Sequence, residues 1–181
     1  MATWLESIKT EVAGSLSIQW KAFSLEQQNS KDGPDFMIWE HPEYHGKGVP
    51  ALAAAKAAKN QGDSFFLKFH LAVFEARHDK GKDIADRKLL QEIAQGAGLD
   101  LARFEHDLTQ AETWRAVGKD HLESRQKYEV FGVPTLIFES GLALFVKLGS
   151  LPESREERIS LFELIYETGN KRSYIVELKR P

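Results

Sequence analysis

The chain contains no cysteine among its 181 residues. That excludes disulfides, thiolate metal sites and a thiol nucleophile contributed by these residues. No apolar run approaches the roughly 20 residues that a membrane-spanning helix needs. The opening stretch from Met1 to Lys9 carries Glu6 among its apolar residues and lacks the long apolar core of a signal peptide. Neither sign of charge dominates: 24 Lys and Arg stand against 27 Asp and Glu, and the bases are scattered. There is thus no electrostatic footprint for nucleic acid or an anionic membrane, and neither is expected as a partner. Gly-x-Ser-x-Gly and phosphate-binding glycine loops are also missing. Together these absences make the cytoplasm the expected location.

What is present suits a globular protein with a core of its own, with 42% hydrophobic and 28% charged residues. Trp4, Leu5, Ile8 and Val12 form a helical stripe that Gly14 is placed to end. Leu16, Ile18, Trp20 and Ala22 alternate with polar residues and predict a strand. Residues 27–48 show no period. From Pro50 the pattern is helical: an alanine-rich segment to Asn60, then Ser64 to Arg77, Ile84 to Gln95, a helix capped by Asp100, and a polar one from about Glu112 to Tyr128. Thr135–Phe138 and Leu142–Leu148 then predict a hairpin around Ser140-Gly141, apolar on both faces and so covered on both. Ser150 and Glu153 suggest a capping box for a helix that Gly169 ends, and Ser173 to Lys179 alternates as a tail strand through Tyr174, Val176 and Leu178.

Three groups of residues invite a functional reading. Pro134 follows Gly132-Val133 and precedes a strand-like run, an X-Pro bond of the kind a fold can hold cis. Glu40, His41, Glu43 and His45 have metal-ligand chemistry, but Pro42 keeps His41 and His45 off a common helical face, and no metal site is assigned. His70 falls on the Phe66–Phe74 stripe, as a packed core histidine would, with a place in the wall of a substrate cleft as the alternative. Trp39, like Trp4, Trp20 and Trp114, is expected in the core or in that wall.

Four stretches resemble the DsbA family in its cytoplasmic branch of FrnE-like oxidoreductases, kappa-class glutathione transferases and 2-hydroxychromene-2-carboxylate isomerases. Trp20 to Asn29 is similar to the family's second strand and its exit. Phe69 to His78 with Asp83 to Asp86, and Gly98-Leu99-Asp100 with Phe104, are similar to its helical insertion. Phe131-Gly132-Val133-Pro134-Thr135 is similar to its cis-proline loop. The likeness covers residues 3 to 150.

The resemblance implies an α/β fold, a thioredoxin-like sheet carrying a large all-helical insertion. Residues 1–26 would begin the thioredoxin-like part, 27–49 connect, 50–128 form the insertion, and 129–181 complete the fold with a C-terminal helix and tail strand. The family's first strand and Cys-x-x-Cys motif are absent, and would fall just before Met1. A shortened chain, the tail segment in the empty place, and a partner chain completing the sheet all remain open.

The implied activity is thiol–disulfide exchange, with Val133, Pro134 and Thr135 holding the substrate, His70 and Trp39 near its cleft, and the catalytic cysteines outside this chain. The partner would be a protein or small-molecule thiol or disulfide, and the chain as given is expected to be inactive in the exchange. Two alternatives stand beside this: a non-enzymatic binding or assembly module that could form a homodimer, and a glutathione-dependent transferase or isomerase. Glutathione is the one cofactor weighed; otherwise none is expected.

Overall fold

The computed structural model describes residues 1–11, 16–33, 35–44, 46–175 and 177. In chain order the elements are α1 (Ala2–Glu11), α2 (Leu25–Gln28), a 3-10 turn (Ile38–Glu40), α3 (Val49–Lys59), α4 (Asp63–His78), α5 (Arg87–Gly96), α6 (Leu101–Thr109), α7 (Ala111–Tyr128), β1 (Thr135–Ile137), β2 (Ala143–Phe145) and α8 (Arg155–Lys171). Contacts divide the chain into two units: Lys21–Glu123, and Met1–Trp20 with Ser124–Pro181. Among the described residues no helix is long and apolar enough to cross a membrane.

The unit Lys21–Glu123 is helical. The buried alanines of α3 (Ala51, Ala54, Ala57, Ala58) let neighbouring helices approach closely, and Phe69, Leu90 and Phe104 pack on them. The helices start where side chains satisfy their free N–H groups. Asp86 accepts from the Lys88 N–H at 2.9 Å, and Asp100 from the Arg103 N–H at 3.0 Å. The Glu26 carboxylate caps α3, accepting from the N–H groups of Lys47, Gly48 and Val49. A second cluster joins Ile38, Trp39 and Val49.

Gly118 in α7 lies flat against the Trp39 indole, so that a Cβ there would overlap the ring. Gly118→Ala is therefore expected to destabilise the protein by about 1–3 kcal/mol through overpacking. Gly96→Ala, at a helical glycine facing open space, should instead stabilise it by about 0.5–1 kcal/mol. Urea denaturation of both variants checks the opposite signs; equal shifts would dismiss the contact.

In the other unit α1 and α8 bury Trp4, Leu5, Ile8, Phe162 and Ile165 together. β1 and β2 are antiparallel, with Thr135 opposite Phe145, Leu136 opposite Leu144 and Ile137 opposite Ala143. Leu136, Phe138, Val146 and Leu148 pack against the helical cluster, as do Leu16, Ile18 and Trp20.

Several expectations need correction. Residues 16–23 form no strand: they keep the inside–outside alternation to Trp20 but have no ladder partner among the described residues. The hairpin is covered on one face only, since Ile137 and Phe145 are 38% and 42% exposed. The N-cap of α8 is Ser154, accepting from the Glu157 N–H at 3.2 Å, rather than Ser150. Gly169 lies inside α8, buried beneath the Phe138 ring, and the helix continues to Lys171. Ile84 and Ala85 precede α5 in a turn held by Asp83, which accepts from the Ala85 N–H. Val12, Gly14, His45, Val176, Leu178 and Lys179, which carried parts of the helix-stop, metal and tail-strand readings, lie outside the described residues.

Candidate functional site

The site grows out of the end of α7. Glu129 takes the left-handed conformation (φ 54°) and turns the chain out of the helix. The buried Val130 is tied back by its N–H to the Ser124 carbonyl at 3.0 Å. With Val130 held, the next residues project: Phe131 is 62% exposed and Val133 44% exposed. The Val133–Pro134 peptide bond is cis. The Thr135 hydroxyl donates to the Gly132 carbonyl at 2.7 Å and closes the loop on itself. The Pro134 carbonyl accepts from the Val146 N–H at 3.0 Å, joining the loop to the strand that continues β2.

This places Val133, Pro134 and Thr135 at one rigid turn with the Val133 side chain outside. The Phe131 and Phe145 rings lie beside it, their centroids 5.1 Å apart. These two aromatics were not singled out from the sequence. Phe131 precedes the glycine of the loop, and Phe145 reads as an ordinary apolar strand residue until the register places it opposite Thr135.

His70 and Trp39 belong to the helical unit. The His70 ring stacks between Phe66 and Phe74, with centroids at 5.2 and 4.7 Å, and burial pulls its pKa down to about 4. Trp39 is 5% exposed within its cluster and packs 5.4 Å from the His121 ring. His41 pairs with Glu43 at 3.1 Å on the surface, whereas Glu40 turns to Arg115. Among the described residues no three of His, Asp and Glu come together to hold a metal ion. The Ser7 hydroxyl donates to the Trp4 carbonyl within α1, the usual helical use of a serine.

A polar network in the helical unit also escaped the sequence reading. The buried Asp120 carboxylate accepts from the Ala22 N–H at 2.8 Å and pairs with Lys56 and Lys21. Next to it, His121 Nδ1 accepts from the Ser24 N–H at 3.2 Å, which puts the proton of the neutral ring on Nε2. Lys21 also binds Glu123, and that hydrogen bond holds its pKa above the ordinary lysine value. The network fixes residues 21–24 to α7.

Residues 4–150 match the family model of the DSBA-like thioredoxin domain. The match takes in α1, all of α2 to α7, the loop at Pro134 and both strands.

Proposed function

The chain belongs to the DSBA-like thioredoxin domain family, and from that premise we propose that it is the substrate-holding part of a thiol–disulfide oxidoreductase. An extended polypeptide bearing a thiol or disulfide lies along the loop and pairs its backbone with that of Val133, as in strand addition. Phe131 and Phe145 receive an apolar side chain next to the substrate sulfur. The attacking sulfur comes from outside these residues, which hold no cysteine. In the exchange a thiolate attacks one sulfur of a disulfide, a mixed disulfide forms, and the other sulfur leaves as a thiolate. The observation that carries this reading is the exposed Val133 and Phe131 pair on a loop that lies within the family match.

Two measurements test it. Reduction of insulin by dithiothreitol should proceed at the same rate with and without the chain; acceleration would overturn the assignment of the sulfur. A single-cysteine peptide with apolar neighbours should shift the Val133 and Thr135 amide signals in a nitrogen–proton correlation spectrum. Phe131→Ala should weaken that peptide about tenfold, the loss of one interface anchor, while stability stays within about 0.5 kcal/mol because the residue is exposed. An unmoved Val133 signal, or undiminished affinity in Phe131→Ala, would sink the reading.

A further inference from the structure

The two faces of the hairpin carry different chemistry. Leu136, Phe138, Val146 and Leu148 turn inward to the cluster of α1 and α8. Their neighbours Ile137, Glu139, Phe145 and Lys147 are exposed, as the alternation of extended backbone requires of the outer face. Thr135 pairs with Phe145, and one step further the Pro134 carbonyl accepts from the Val146 N–H. The next step of the same register sets Lys147 across from Val133. Neighbouring strands stand about 4.8 Å apart, so a lysine there comes within a side chain's length of a peptide lying on Val133. Of the outward residues of the hairpin, Lys147 is the one cation and Glu139 the one anion, and Glu139 is at the turn, the far end from the loop. Among the described residues no carboxylate pairs with Lys147. Its surroundings on that face are apolar: Phe145 two residues before it, Phe131 stacked beside Phe145, and Val133.

We propose that the substrate segment held at this loop is acidic, with a glutamate within two residues of its cysteine paired to Lys147. The proposal rests on the substrate reading above and adds the charge of the substrate to it. A peptide laid over Val133 and the two phenylalanines also covers Lys147. An apolar residue at that point takes water from the ammonium and returns nothing, whereas a carboxylate replaces the lost water with a charge-assisted hydrogen bond. Residues two apart in an extended peptide share a face, so a glutamate at that spacing follows the cysteine onto the outer face. The chain as a whole carries a net charge of -3, and its overall field disfavours an acidic ligand. A preference for one therefore has to come from a local cation.

The probes are two acetylated, amidated peptides, Glu-Leu-Cys-Leu-Glu and Gln-Leu-Cys-Leu-Gln, titrated under reducing conditions against the full chain and followed by the Val133 amide signal. At about 0.01 M salt, where charges act over about 30 Å, the glutamate peptide should bind about three- to fivefold tighter, as a surface ion pair allows, and the two should converge at about 1 M. Lys147→Gln should equalise the peptides and Lys147→Glu should reverse their order. Both variants should fold, because the side chain is exposed. Equal affinities for the unaltered chain would overturn the proposal. So would a glutamate preference that survives Lys147→Gln, which would move the cation elsewhere, as to Lys127 over the Tyr128 ring. In either case the bound glutamine peptide leaves the substrate reading standing. If neither peptide moves the Val133 signal, the substrate reading fails and this proposal falls with it.

Discussion

Asp120→Ala is expected to destabilise the protein by about 3–5 kcal/mol, the cost of removing one member of a buried ion pair. The carboxylate sits in the helical unit with two lysines on it and accepts the Ala22 N–H. Its removal strands the Lys56 ammonium, whose side chain is mostly buried, and leaves the Ala22 amide without its acceptor. Lys21 loses less because Glu123 still holds it. Asp120→Asn keeps an acceptor for the amide but not the charge, and should fall between the wild type and the alanine variant. Urea denaturation measures all three. Equal stability of Asn and Ala variants would show that the charge, and not the amide bond, carries the effect; no loss in either would remove the network from the account of this fold.

That network shows where sequence reading stopped. α7 was legible as a polar helix, but its pattern did not mark the face it buries. Its buried face follows Thr113, Val117, Asp120, His121 and Ser124, a helical stripe on which polar residues outnumber apolar ones. Hydrophobic periodicity misses such a stripe because the polar groups are satisfied by residues about a hundred positions away, Ala22 and Ser24. The helices α3 to α6 were read with ends correct to within about three residues because local chemistry sets them, as at Asp100. The strand expected at Leu16–Ala22 failed differently. Alternation reports which side of a segment is buried, and Leu16, Ile18 and Trp20 do face the core. A strand also needs a backbone neighbour, and no pattern within the segment can supply that. The loop at Val133 was visible from its motif, whereas its aromatic neighbour Phe145 depends on the hairpin register.

The pH dependence of stability should carry the signature of His70. Burial between Phe66 and Phe74 holds its pKa at about 4, below the ordinary histidine value of 6.5. Between those values the unfolded chain binds a proton that the folded chain refuses, so stability falls as the solution is acidified. The contribution is fully present above pH 6.5 and is lost as the pH drops to about 4, at a cost of about 2–3 kcal/mol. Other groups titrate over the same range, so the informative quantity is the difference between the wild type and His70→Gln. That difference should shrink or reverse by the same amount from pH 7 to pH 4, and parallel profiles would contradict the burial argument. The sign also bears on function. A cationic imidazole can lower the pKa of a nearby thiol, but a ring that stays neutral down to about pH 4 offers no such charge at neutral pH. His70→Gln should therefore leave cysteine-peptide affinity at pH 7 unchanged, and its effect should be confined to stability in acid.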